Sequence, residues 1–515
     1  MIRMISGFIA LAMLAGMAAN AQQLEMVKDC NTAGNSYPNN LTVAGNKLFF
    51  LAADNSGYQK LWVTQGSGAT TVLLLNQILM QTQKLVAYNG KVYFDCYTAT
   101  YGQELWESDG TVAGTHIFAD LYPGSSGSYP SAFTVTNNKL FFIANNPAGE
   151  NRLYSSDGTV AGTIVLKAFA QLFNGLSDFA VLNNEIYFTS DGGMSIYVYG
   201  MWKSDGTLAG TAMVKPGIAS SIGGNAAVLN NKLYFTAADD AHGTELWVTN
   251  GTDPGTYMVK NLAPDGGGIL SSGAPQHITV YNSQLYFFAS DPLHGQEFYT
   301  SDGTDPGTVL VKDILPGTGS SVCNEIIIYN GLMYFTSYQL QEMWKSDGTT
   351  AGTQLVKANM NDRLYYSPVY NNKMSISGYN DPVVWQSDGT TAGTSNMTAT
   401  NTSNPIQFYS ADLHMTEYNG ALYFSGFCGG ITTGYELCKF SANAPVSYSF
   451  TGNGNWSNPV NWAGGIVPPA TLPAGTSVVI NGSCILDITQ HIATGATLIV
   501  AAGKSLVING SLTLN

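Results

Sequence analysis

Residues 104–111 read Glu104-Leu105-Trp106-Glu107-Ser108-Asp109-Gly110-Thr111, with Ala113-Gly114-Thr115 close behind. The phrase returns as Leu153-Tyr154-Ser155-Ser156-Asp157-Gly158-Thr159. It then recurs around Trp202 and Asp205, Trp247 and Asn250, Tyr299 and Asp302, Trp344 and Asp347, and Trp385 and Asp388. A decayed copy surrounds Trp62, and a last one sits at Glu436-Leu437-Cys438, which makes nine. From Asp109 to Asp388 successive copies lie 48, 48, 45, 52, 45 and 41 residues apart. Self-similarity at such a period marks a repeat architecture.

Three further phrases travel with the first. A turn and an aromatic strand precede it, as in Asn46-Lys47-Leu48-Phe49-Phe50 and Asn231-Lys232-Leu233-Tyr234-Phe235. Before that stands an alternating strand such as Ile278-Thr279-Val280-Tyr281, and behind the motif follows one such as Tyr257-Met258-Val259-Lys260. Each unit thus predicts four short strands. Asn-Asn or Asn-Gly pairs make tight hairpins. In Ser-Asp-Gly-Thr the Asp caps amides ahead of it and the Gly takes a positive φ. Four strands in about 45 residues, repeated, predict propeller blades, whereas solenoids of this period are mostly helical. The last copy lacks its Met-Val-Lys strand, and Leu24-Glu25-Met26-Val27-Lys28-Asp29 supplies that piece at the other end of the chain. An N-terminal strand completing the last blade closes the ring and removes a free edge. The expectation is an all-β, closed propeller of nine blades over 22–442, or eight if one degenerate unit is an insertion.

The repeated phrase resembles the bacterial exported proteins, common in Bacteroidetes, named for an ELWxxDGT motif. The likeness covers about residues 24 to 440, with Asn250 standing for the Asp in one copy. It implies a propeller-like architecture and an extracellular or surface setting, with no assigned reaction.

Residues 1–21 read as a secretory signal peptide. Arg3 is the only charge before Glu25, an apolar stretch runs from Phe8 to Met17, and Ala19-Asn20-Ala21 is a small-x-small cleavage site. No later stretch is long and apolar enough to span a membrane. At the other end, 443–515 forms a separate unit. A Trp-rich lead-in with Trp456 and Trp462 precedes short alternating strands with Gly-containing turns. It is weakly similar to an extracellular domain family named for eight conserved glycines. The strands predict a small β-helix or roll, or alternatively a minimal β-sandwich.

Only 10% of the residues are charged, and the net charge is −14. So acidic a chain has no field to attract phosphate backbones, which excludes nucleic acid as the expected partner. Six Cys in an exported chain permit disulfides, but none has metal spacing; Cys428 and Cys438 are the only close pair. No cofactor is expected; the acid excess leaves calcium as the alternative, although no loop has the ligand spacing of a calcium site.

Candidate chemistry is mostly repeated, and repetition argues for structure. Asp109, Asp157, Asp205, Asp302, Asp347 and Asp388, with Gly110 and Gly158, occupy one turn position. Glu104, Glu245, Glu297, Glu342 and Glu436 occupy one strand position. A catalytic carboxylate pair needs two different environments, so capping and blade–blade contacts are the expected roles. The aromatic column of Trp62, Trp106, Tyr154, Trp202, Trp247, Tyr299, Trp344 and Trp385 reads as inter-blade core. His242 and His294 share one loop slot, and six Lys share the Val-Lys slot. Non-repeat loops are where function is expected on a rigid ring. The two lengthened hairpins carrying Tyr197, Tyr199 and Tyr435 are therefore the candidate ligand loops. The expected function is non-catalytic binding or adhesion, outside the cell or on its surface, by a single chain with a glycan or protein ligand. A polysaccharide-active enzyme and a structural spacer are the alternatives.

Overall fold

A computed structural model of the chain describes residues 22–77, 84–169, 179–190, 200–219, 225–239, 241–264, 272–360, 368–376, 384–397, 415–428, 434–442, 447–463, 467–468, 471–472, 477–492 and 496–514. The leader read at 1–21 lies outside them. The described residues are strands and turns, with two short 3-10 turns at Gly68–Thr70 and Pro459–Asn461. No helix among them is long and apolar enough to cross a membrane.

Nine four-stranded sheets form a β-propeller. We number the blades from the one spanning 39–75. Blades 2 to 8 span 86–119, 131–169, 180–216, 226–260, 276–312, 327–357 and 369–396. Blade 9 contains Thr416–Tyr418, Ala421–Gly426 and Glu436–Ala442, and its fourth strand is Gln22–Lys28 from the N-terminus. The degenerate unit around Lys373–Ile376 is a true blade with short strands. First strands of neighbouring blades approach one another around the axis, so they line the ring's interior.

The second strand explains the aromatic phrase. In Lys47–Ala53, Phe49 and Leu51 pack with Phe94 and Trp106 of blade 2. Leu48, Phe50 and Ala52 pack with Tyr423 and Leu437 of blade 9. Both faces are buried, so the strand is a continuous apolar run instead of an alternating one. The Trp of the motif faces the preceding blade: Trp202 joins Phe141 and Leu153 of blade 3, and Trp247 joins Tyr187 and Met201 of blade 4.

Polar joints repeat between blades. First-strand tyrosines donate to the carbonyl of the next blade's two-residue turn: Tyr88 to Asn138 at 2.7 Å, Tyr281 to Gly331 at 2.6 Å and Tyr370 to Gly420 at 3.0 Å. Tyr418 of blade 9 does the same to Asn46 of blade 1 at 2.5 Å, across the closure.

The motif glutamates bind the crossovers to the next blade. Glu104 is fully buried and accepts from Leu121 N–H, Tyr122 N–H and the Ser128 hydroxyl, at 3.0, 3.1 and 2.6 Å. Glu245 accepts from Leu262 and Gly273 amides, and Glu297 from Ile314, Leu315 and Ser321 amides. Glu436 accepts from Cys30 N–H at 3.0 Å, Ser36 N–H at 3.1 Å and the Ser36 hydroxyl at 2.5 Å. The N-terminal segment is therefore held by blade 9 as the crossovers bound by Glu104, Glu245 and Glu297 are held by their own blades. Glu342 differs, accepting from the Trp344 indole N–H at 3.1 Å.

Residues 440–515 form a second compact unit. Its strands pair in parallel, in three sheets of three. Each turn of chain contributes one strand to each sheet, which is a three-turn β-helix; a sandwich would need antiparallel sheets. Trp456 and Trp462 are buried edge to face at 4.8 Å in its core, with Val478, Ile480 and Leu486.

Two outcomes are expected from the Glu436 joint. Glu436→Ala strands three donors, each costing about 1–3 kcal/mol if left buried and unmet. Its melting temperature should fall well below that of Glu342→Ala. Burial pushes the Glu436 carboxyl up to about 7 from an ordinary 4.5, and Glu297 likewise to about 7. Stability from such a group is complete below the unfolded value and is lost as pH rises through about 7. Wild-type melting temperature should therefore decline from about pH 5 to about pH 8, and less so in Glu436→Gln, whose amide does not titrate. Identical slopes in the two proteins would contradict this assignment.

Candidate binding face

Antiparallel strands send alternate connections to opposite faces of the ring. First-to-second turns span two residues in every blade, and third-to-fourth turns span six or seven. On the other face, second-to-third hairpins span three to nine residues and crossovers nine to nineteen. One face is thus constant and the other variable.

The Asp-Gly-Thr motif builds the constant face. Asp109 Oδ1 accepts from Thr111 N–H and the Thr111 hydroxyl, both at 2.8 Å. The Thr111 hydroxyl accepts from Gly114 N–H at 2.9 Å, and Ser108 and Thr115 hydroxyls meet at 2.7 Å. The same knot surrounds Asp157, Asp205, Asp302, Asp347 and Asp388. The Thr hydroxyl holds the Asp109 carboxyl below its ordinary value. Asn250 makes the same contacts, to Thr252 N–H at 3.1 Å and its hydroxyl at 2.7 Å. A carbonyl oxygen is sufficient at this position, so these acids are spent on turn geometry.

The glycine of the motif is a blade–blade joint. Gly303 has φ +91°, and a Cβ there would overlap the Tyr234 hydroxyl of blade 5. Gly348 and Gly389 stand the same way against Tyr286 and Tyr334. Gly110 meets Lys47, whose ammonium donates to the Asp109 carbonyl at 2.5 Å. Gly158 lies near Tyr88 and Tyr93. Trp106, Trp202 and Trp247 are buried, and Trp344 and Trp385 are half-buried. In the Val-Lys slot, Lys215 pairs with Asp253 at 2.7 Å and Lys260 with Asp305 at 3.1 Å, each one blade on. Lys167 lies 4.7 Å over the Trp202 ring.

The variable face carries tyrosines. Tyr435 stacks on Tyr37 at 5.9 Å and lies 4.0 Å from Phe427. Tyr435 N–H donates to Asn35 Oδ1 at 2.9 Å, and Asn35 Nδ2 donates to the Tyr37 hydroxyl at 2.8 Å. Tyr58 and Tyr101 stand exposed in the hairpins of blades 1 and 2, with Tyr97 beside the latter, and Tyr129 is exposed in the crossover into blade 3. Together they form an arc across blades 9, 1, 2 and 3. Tyr129 has φ +51° and Tyr37 φ +45°, unusual for bulky residues. The cause lies in the crossover: Ser128 and Tyr129 amides both donate to the Gln103 carbonyl, and Ser36 and Tyr37 amides to that of Tyr435. Tyr197 and Tyr199 lie outside the described residues.

Two imidazole–carboxylate pairs share this face. His242 Nδ1 meets Asp239 at 2.8 Å, and His294 Nδ1 meets Asp291 at 2.8 Å. The bond to Asp291 raises the His294 pKa. Burial pulls the Asp291 carboxyl upward, but the Tyr299 hydroxyl and His294 outweigh it and hold it low. No group of three or more metal-ligating side chains occurs among the described residues. A cavity of about 410 Å³ opens along the inner strands of blades 2 and 3, lined by Leu85, Val86, Ala87, Phe133, Val135 and Phe179. Cys428 and Cys438 form a disulfide within blade 9, while Cys30, Cys96, Cys323 and Cys484 are buried free thiols.

These features define a nine-bladed propeller with one structural and one variable face. No protein-family model matches the chain, and no curated protein does. Solved structures match at low identity and low TM-score. A streptogramin B lyase is 16% identical with a TM-score of 0.33, covering 62% of this chain and 94% of its own. A prolyl endopeptidase is 12% identical with a TM-score of 0.37, covering 70% and 55%. A puromycin hydrolase is 10% identical with a TM-score of 0.32, covering 60% of each. Likeness of this degree says nothing about the reaction or ligand of this chain.

The joint predicts a rescue. Gly303→Ala should destabilise the ring through both the positive φ and the Tyr234 hydroxyl, by roughly 1–3 kcal/mol. Adding Tyr234→Phe should restore part of the melting temperature, because it removes the overlapping oxygen. No restoration would assign the whole loss to backbone strain.

Proposed function

We propose that the chain is an exported binding protein of the cell surface or extracellular space that takes a glycan on the variable face of its propeller. One observation carries this reading. Tyr37, Tyr435, Tyr58, Tyr97, Tyr101 and Tyr129 gather at the variable-face ends of four consecutive blades. Tyrosine offers a flat apolar ring that covers the C–H face of a sugar, and a hydroxyl that stays hydrated or bonds a sugar hydroxyl. The aspartates of the motif are bonded within their turns, and Glu104, Glu245, Glu297 and Glu436 to their crossovers, so a ligand meets the arc before it meets these acids. A protein ligand is the other occupant such a surface suits, since exposed tyrosines also anchor protein interfaces. Export rests on the leader read at 1–21, and membership of the ELWxxDGT-type repeat proteins rests on the motif copies. The two His–Asp pairs support a second reading, a polysaccharide-active enzyme. That reading predicts shortening of the bound polymer, abolished by His294→Ala.

The test is a glycan array and a polysaccharide pull-down with residues 22–515. Selective binding is expected. Tyr101→Ala with Tyr129→Ala should weaken it about tenfold or more, as the loss of roughly 1.4 kcal/mol requires. Val112→Ala, exposed on the constant face, should leave it unchanged. Absence of binding across a broad panel, or equal binding by the tyrosine variant, would refute the glycan reading.

A further inference from the structure

We propose that the inner wall of the propeller holds a binding site for a small organic cation, an ammonium group on an apolar body, with Glu417 as its anchor. The site is distinct from the tyrosine arc. The observation is a break in the repeat at one register position. In every blade the next-to-last residue of the first strand pairs with the second residue of the second strand, as Val43 does with Leu48 and Ile328 with Met333. In eight blades that residue is aliphatic; in blade 9 it is Glu417, paired with Leu422.

These positions form a collar around the axis. Val43, Val135, Val228, Ile328 and Val369 stand between 37% and 46% exposed although they lie on the innermost strands. The sheet faces of a blade are covered by its neighbours, so exposure here is exposure toward the axis. Glu417 is exposed in the same collar. Its neighbours in sequence serve the seam: the Thr416 hydroxyl donates to the Leu41 carbonyl at 3.2 Å, and the Tyr418 hydroxyl to that of Asn46. The Glu417 carboxylate itself has no hydrogen bond or ion pair among the described residues. Besides tyrosines, His277 of blade 6 is the only other ionisable side chain on the nine first strands. Ligand sites are mostly apolar, with a few polar groups that fix orientation, and this charge, which the ring does not use, selects a cation.

The cavity of about 410 Å³ gives the apolar body its place and its size. It opens where the collar is notched by its smallest member, Ala87, beside Val135. The inner strands are in contact from blade 9 through blade 1 to blade 2, and the Thr42 hydroxyl donates to the Leu85 carbonyl at 3.3 Å. One wall therefore runs from Glu417 past Val43 to Ala87. Lys84 lines the cavity at its far end, three residues or about 10 Å of extended chain before Ala87. The two charges give the site a direction. The ammonium lies toward Glu417, and the apolar body covers Ala87, Phe133 and Val135.

Isothermal titration calorimetry of residues 22–515 with hexylammonium and phenylbutylammonium tests the proposal, with hexanol and phenylbutanol as neutral isosteres. An ammonium probe should bind at one site per chain, about tenfold or more tighter than its alcohol, as a charge-assisted contact allows. Glu417→Val should reduce the ammonium to the affinity of the alcohol, and Ala87→Val should weaken it by filling the notch. Each variant installs a residue that the same position holds in other blades, so the melting temperature should be kept. Asp305→Asn, on an exposed constant-face turn, should bind like wild type, which separates Glu417 from the general attraction of a chain with net charge −14. No binding of either ammonium, equal affinity for ammonium and alcohol, or ammonium binding unchanged in Glu417→Val or Ala87→Val would overturn the proposal.

Discussion

A propeller is only as stable as its seam, and in this chain the seam is a buried carboxylate. Glu436 is fully desolvated, yet three donors from the N-terminal segment converge on it. Glu104, Glu245 and Glu297 hold their crossovers through the same chemistry within continuous chain. Burying an unpaired charge would be costly, so each glutamate demands its donors and the donors fix the path of the crossover. At the seam that demand joins residues some 400 apart in sequence. The Tyr418 bond to Asn46 and the mixed core of Phe50, Tyr423 and Leu437 complete the same junction.

From that constraint follows a division of labour between faces. On the constant face the third-to-fourth turns of blades 2 to 8 are fixed in length because each carries a joint: a hydrogen-bonded Asp or Asn, and a glycine that receives a side chain of the neighbouring blade. Changing their length would pull a blade out of contact. On the variable face the crossovers differ in length, and where a motif glutamate is present it and a few backbone bonds, such as those of the Ser128 and Tyr129 amides to Gln103, fix only part of the segment. Side chains such as Tyr58 and Tyr129 can stand there without bearing on ring closure.

Much of this was legible in the sequence, and the exceptions have physical causes. Nine phrase copies and the split Met-Val-Lys strand encode blade number and closure, because a repeat cannot bury its faces alone. Asn250 among the aspartates already indicates that the turn needs a carbonyl oxygen, not a charge. The glutamate joints were harder to read, since their partners are backbone amides, which carry no residue signature. The tyrosine arc was missed for another reason. Tyr58, Tyr101 and Tyr129 sit in different connections of different blades, and only ring geometry brings them to one face. In the C-terminal unit, alternation of apolar residues does not distinguish parallel from antiparallel pairing. The choice between β-helix and sandwich therefore needed the register of Ser477 on Ser447 and Thr497 on Ser477.

Closure by the N-terminal strand is the claim on which the rest stands, and amide hydrogen exchange over residues 24–36 tests it most directly. The account predicts protection of this segment equal to that of Val309–Lys312, the fourth strand of blade 6, with Cys30 and Ser36 amides among the slow set. Exchange at the rate of an unstructured terminus, with the other blades still protected, would mean an open ring and would contradict it.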